Sequence, residues 1–193
     1  MSHASSLLLA SSSPRRLALL RQINVKPKVF PVDIDETVLA DELPEVYVRR
    51  LALAKAHAGQ ARAGDVNAWV LAADTTVVAG GQILGKPTSL ADAQRMWALL
   101  PSPDHCVYTA IAVIHGEYTE IEVVSTRVEF LPIPEVDQIA YWHSDEPKDK
   151  AGAYAVQGRA AQYVKSLHGS YTNVVGLPLA ETVALLRRAN YPF

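Results

Sequence analysis

The chain has 193 residues, 49% hydrophobic and 20% charged, the make-up of an ordinary globular protein with a proper core. A formal net charge of −2 gives no footprint for a nucleic-acid polymer, so any anion site has to be built locally. No apolar run reaches the roughly 20 residues that span a bilayer, no secretory signal is visible, and the single Cys106 cannot form an intrachain disulfide, so the expectation is a cytoplasmic protein without a membrane partner.

Ser6–Ala10 reads as a strand and Pro14–Ile23 as a helix, with Ser11-Ser12-Ser13 between them. Proline is well tolerated at the first helical position, and the serines suit capping of the free N–H groups. Arg15 and Arg16 are the oddity, because cations are unfavourable at the positive end of a helix dipole. A bound anion reverses that sign, and hydroxyls, N–H groups and guanidinium forks all suit phosphate. A surface turn with two solvated arginines explains the segment equally well. Lys28–Val32 reads as a second strand, followed by an acidic loop carrying Asp33, Asp35, Glu36, Asp41 and Glu42.

Pro44–Arg62 is predicted as a long helix in which Val48, Leu51 and Ala58 share a face with Lys55. A lysine on that stripe either snorkels to the rim or meets an anionic partner. Trp69–Ala73 reads as a strand buried on both faces, with Asp74 at its end. A carboxylate there suits cation binding or proton abstraction from water, or it simply closes a turn. Thr76–Val78 and Gln82–Leu84 flank a Gly80-Gly81 hairpin. Gly85-Lys86-Pro87 then fixes a lysine ahead of a helix that starts at Ser89 and runs to Leu100.

Val107–His115 and Tyr118–Phe130 form a long antiparallel hairpin in this reading, followed by a helix over Pro134–His143. Glu146–Gly158 mixes alternating charges, small residues and Gln157, whose amide reads a base edge as donor and acceptor; the charges alone suit a solvated loop leading into a strand, a reading that the small residues and Gln157 weaken. Tyr163–Leu167 is a strand and Pro178–Ala189 the last helix. The predicted fold is α/β, with a mixed sheet of βα units and long antiparallel hairpins, as one domain over residues 1–193. Such sheets place ligands beyond strand ends.

The histidines show no zinc-ligand spacing, and neither a G-x-S-x-G elbow nor a phosphate loop of the G-x-x-x-x-G-K-[ST] type occurs. Two arginines, the lysines, the acidic loop and Asp74 together fit a nucleoside triphosphate bound with a divalent metal.

Leu9–Arg16, Ala73-Asp74-Thr75, Gly85-Lys86-Pro87, Glu146-Pro147 with Asp149–Tyr154 and Gln157-Gly158, and Gly169-Ser170-Tyr171 with Val174–Leu179 resemble the Maf family of nucleoside triphosphate pyrophosphatases, in the family's order and over nearly the whole chain. The resemblance implies a Maf/ITPase-like twisted sheet with two lobes around a central cleft, and hydrolysis between the α and β phosphates with Mg²⁺ or Mn²⁺. It implies Asp74 as the catalytic carboxylate and, with Glu36, a metal ligand. Ser11, Arg16, Lys55 and Lys86 are implied to grip phosphates. Arg15, Thr75 and Gln157 are implied to select the base, in the pattern of members acting on dTTP and UTP. A homodimer is implied too. A nucleotide-binding regulator of septum formation with little turnover is the alternative.

Overall fold

Leu7–Leu9 (β1) is buried throughout and pairs in parallel with a strand on each side. Lys28–Val29 (β2) is reached through the helix Pro14–Gln22 (α1), and Trp69–Ala79 (β3) through the helix Pro44–Ala63 (α2). Gln82–Leu84 (β4) folds back antiparallel on β3 after Gly80-Gly81. Cys106–His115 (β5) and Tyr118–Phe130 (β6) are neighbouring strands joined by a two-residue turn, and Val164–His168 (β7) pairs antiparallel with β6. The strand order is β2-β1-β3-β5-β6-β7, with β4 on β3 off this path. This seven-stranded mixed sheet is the expected α/β class. The remaining helices are Leu90–Leu99 (α3), Glu135–Trp142 (α4), Tyr171–Val175 (α5) and Leu179–Arg188 (α6). The computed structural model describes residues 7–193, so Ser6 of the first predicted strand lies outside the described residues. Among the described residues no helix is long and apolar enough to cross a membrane.

Three expectations change. Asp74 does not end a strand: β3 continues through it to Ala79, because Thr75-Thr76-Val77-Val78 is a β-branched run that fits a pleated sheet. The second strand keeps only two residues of the five expected; Pro31, just beyond it, has no N–H for a ladder. Glu146–Gly158 is not a loop running into a strand. It contains 3-10 turns at Glu146–Asp149 and Ala151–Ala153, and Arg159–Tyr163 adds another before β7.

The chain divides into two compact units. The first comprises the described residues up to Asp74 with Thr109–Val124 and Gly176–Phe193. Leu7, Leu9, Leu20, Leu51 and Leu71 are sealed in its core. Here α2 runs close against the sheet: a Cβ on Gly59 would lie 3.0 Å from Val70 Cγ1 and 3.1 Å from the Ala10 methyl. The second unit, Thr75–Tyr108 with Ser125–Val175, has an aromatic core of Trp97, Phe130, Tyr141 and Tyr154. Trp97 donates from Nε1 to the Ala153 carbonyl at 2.7 Å, so the ring buries its apolar area without orphaning its N–H.

Candidate active site

The strand-to-helix turn after β1 is capped as its sequence suggests, with Pro14 opening α1 and the Ser13 hydroxyl accepting from the Arg16 N–H at 3.5 Å. Ser11 Oγ accepts from the Ser13 N–H at 3.2 Å and from Arg16 Nη1 at 3.1 Å. Arg16 Nε donates to the Gly176 carbonyl at 2.8 Å. The Arg16 guanidinium is thus folded back over the turn rather than solvated. Burial lowers its pKa, and the nearby Asp74 carboxylate opposes that shift. Arg15, one residue earlier, is half-buried on the same turn.

Lys55 lies on the α2 stripe with the buried Val48, Leu51 and Ala52. Of the two outcomes open to such a lysine, it takes the anionic partner. Its Nζ stands 2.6 Å from Asp74 Oδ1 and 2.6 Å from Glu36 Oε1. The Asp74 side chain is only 8% exposed and that of Lys55 12%, against 46% for Glu36, so the low-dielectric end of this triad is at Asp74. Burial pushes the Asp74 carboxyl above its ordinary range; the Lys55 ammonium and then Arg16 pull it back, while Glu36 adds to the rise.

The acidic loop reaches Lys55 because α2 holds it. Tyr47 donates its hydroxyl to the Glu36 carbonyl at 2.9 Å. Arg50 grips both oxygens of Glu42 at 2.7 Å and donates to the Thr37 carbonyl at 3.0 Å. That fork holds Glu42 down to about 2, and burial followed by the charges of Asp74 and Glu36 pushes the Tyr47 phenol up to about 12. Asp35 turns instead onto its own loop, accepting from the Thr37 N–H at 2.9 Å, which leaves Glu36 as the loop carboxylate on Lys55. Sequence reasoning missed Tyr47 and Arg50. Their one visible signal was the i, i+3 spacing on the first turns of a helix that directly follows an acidic loop.

In the second unit, Thr75 is the half-buried peptide neighbour of Asp74, and Lys86 is exposed beside the buried Pro87. Gly85 accepts from the Gly152 N–H at 3.0 Å, tying the Lys86 loop to the segment that carries Gln157. Gln157 is exposed in a turn closed by the Gly158 N–H on the Ala155 carbonyl at 3.1 Å. The first unit therefore gathers Ser11, Arg15, Arg16, Glu36, Lys55 and Asp74, while Lys86 and Gln157 share a framework within the second. Ser170 is part of a structural network: Thr126 Oγ1 donates to its carbonyl and Asn173 Nδ2 donates to Thr126.

Among the described residues no three His, Cys, Asp or Glu side chains form a metal-binding group. Two carboxylates, Asp74 and Glu36, converge on one positive charge, the Lys55 ammonium. A hard oxygen pair that already accommodates a cation fits Mg²⁺ or Mn²⁺, since Mg²⁺ commonly takes one or two carboxylates, keeps several waters and adds substrate phosphates.

Comparison with known proteins identifies the family. The family model described as Maf-like protein matches residues 6–189. A protein of Myxococcus xanthus (strain DK1622) named dTTP/UTP pyrophosphatase is 50% identical over 96% of this chain and 93% of its own. Proteins of the same name from Pseudoalteromonas atlantica (strain T6c / ATCC BAA-1087) and Anaeromyxobacter dehalogenans (strain 2CP-1 / ATCC BAA-258) are each 47% identical, covering 94% and 96% of this chain and 96% and 95% of their own. With 184 consecutive residues matched by one family model and relatives at this identity over nearly its full length, the chain belongs to the Maf family.

Proposed function

We propose that the protein is a nucleoside triphosphate pyrophosphatase that hydrolyses dTTP and UTP to the monophosphate and pyrophosphate. The observation that carries this reading is the buried Asp74 carboxylate paired with Lys55 beside Arg16 and Glu36. The names of the relatives support the pyrimidine substrates.

In this mechanism Asp74 is the general base. Burial raises its affinity for a proton, which strengthens it as a base, and the Lys55 ammonium at 2.6 Å opposes that rise. It takes a proton from a water whose oxygen bonds to the α phosphorus. The α–β anhydride bond breaks, and pyrophosphate leaves with the electron pair. Arg16, Lys55 and Lys86 neutralise the phosphate oxygens. The Ser11 oxygen already accepts two hydrogen bonds, which directs its own O–H outward as a donor to phosphate. A divalent cation held by Asp74 and Glu36 would supply Lewis-acid neutralisation of the phosphate chain. The Gln157 amide satisfies both O4 and N3–H of uracil or thymine, with Arg15 and Thr75 as the other selective positions. A cytoplasmic location, supported by the lone Cys106, and a homodimer, resting on family resemblance, belong to the same reading.

Pyrophosphate release from a panel of nucleoside triphosphates, with Mg²⁺ or Mn²⁺ and again with chelator, tests it. UTP and dTTP are cleaved preferentially and the chelator abolishes turnover. Cleavage of another triphosphate with UTP and dTTP left intact overturns the base assignment.

A further inference from the structure

An exposed glutamine is a poor reader of a base unless its backbone is fixed, because ordering its side chain costs rotamer entropy and a moving turn adds more. The turn that carries Gln157 is fixed on both sides. Before it, the Ala155 N–H donates to the Tyr141 hydroxyl at 3.1 Å. After it, the Arg159 N–H is shared between Glu146 Oε1 at 3.0 Å and Oε2 at 3.1 Å. The two anchors are themselves joined, since Tyr141 donates its O–H to Glu146 Oε1 at 2.8 Å. Gly158 completes the fit: a Cβ there would sit 2.2 Å from the Glu146 carboxylate, so no other residue lets the turn close over it undisturbed.

The anchors are rigid in turn. The Tyr141 ring is buried with its centroid 5.6 Å from that of Trp97, which also holds the Ala153 carbonyl. Glu146 opens a 3-10 turn over the buried Pro147, and its N–H donates to Ser144 Oγ at 3.4 Å. Burial and the bond to Glu146 push the Tyr141 phenol up, so it stays a donor throughout the physiological range.

We infer that Glu146 and Tyr141 are positioning residues for base selection, holding the Gln157 turn in the one conformation that reads a pyrimidine with a carbonyl at C4. The inference rests on the reading of Gln157 as a selective position. Glu146 acts through its oxygens as hydrogen-bond acceptors, and an amide carbonyl can take over that task.

The test is kcat and KM for UTP, dTTP and CTP with the wild type, Q157A, E146A, E146Q and Y141F, each with a thermal unfolding curve. CTP presents an amine in place of O4 and lacks the N3–H. Q157A loses the preference for UTP over CTP. E146A and Y141F lose it by on the order of tenfold, through KM for UTP and dTTP, with kcat changed by less than about twofold. E146Q keeps it. Should E146A fail to fold, Y141F, which removes only a hydroxyl, carries the same expectation. If Q157A forfeits the preference while E146A and Y141F retain it, the positioning role is wrong and the reading of Gln157 stands. If Q157A retains it, the reading of Gln157 falls and the inference with it. If E146Q behaves as E146A, a charge on Glu146 matters rather than its acceptors, and the inference is overturned.

Discussion

Lys55 and Asp74 meet at 2.6 Å where both side chains are largely covered, one from a helix stripe and the other from the middle of β3. Two charges so placed are costly to desolvate, and the contact survives because each compensates the other. The arrangement stores a carboxylate in a proton-hungry environment while keeping it ionised, which suits a general base.

Lys55→Met removes the largest influence holding the Asp74 pKa down. Burial then acts with less opposition, so that pKa rises further. A base must be deprotonated to act, and the acid limb of the kcat/KM profile therefore moves to higher pH. At neutral pH kcat/KM falls on the order of 10²-fold, the scale for losing one electrostatic contact to a transition state. A pH series on wild type and variant checks both; an unshifted acid limb means Asp74 is not the titrating base.

Arg50→Ala cuts the fork to Glu42 and the bond to the Thr37 carbonyl, while the Tyr47 hydroxyl bond to the Glu36 carbonyl stays. Glu36 is then delivered to Lys55 less often. The Mn²⁺ concentration for half-maximal activity rises about tenfold, the low end for losing a residue that orients a ligand, while activity at saturating Mn²⁺ is kept. A metal titration of both proteins measures this directly.

His105 is fully buried, with Nδ1 2.9 Å from the Leu100 carbonyl and Nε2 3.1 Å from the Tyr154 hydroxyl. Burial pushes its pKa down to about 4. The unfolded ring titrates near 6.5, so between these values the unfolded chain binds the extra proton. The contribution is whole above about pH 6.5 and is lost as pH falls to about 4, on the order of 3 kcal/mol in all. Urea unfolding of wild type and His105→Asn at pH 7.5 and pH 5 checks the sign. The wild type loses more stability than the variant on acidification.

Much of the site was legible because each residue sat in a strong local pattern. Lys55 on an apolar stripe called for a partner, and the capped turn at Ser13 called for somewhere to put Arg16; the structure supplies Asp74 for one, and Gly176 and Ser11 for the other. Misreadings arose where short-range pattern competes with the sheet. Asp74 looked like a strand terminus because Asp disfavours strands, but the β-branched residues after it carry β3 onward. Glu146–Gly158 looked like a charged loop because its acids and bases alternate, yet Glu146 is spent on Tyr141 and the Arg159 N–H. Tyr47, Arg50 and Tyr141 act by contacts formed only on folding, and α5 is too short for a periodicity to show.

The claim that Asp74 activates water for pyrophosphate release is tested most directly by UTP turnover in wild type and Asp74→Asn, with UTP binding measured alongside. Equal amounts of UMP and pyrophosphate are expected from the wild type, and a loss of turnover on the order of 10²–10⁴-fold in the variant with binding retained. Turnover in Asp74→Asn equal to that of the wild type contradicts it.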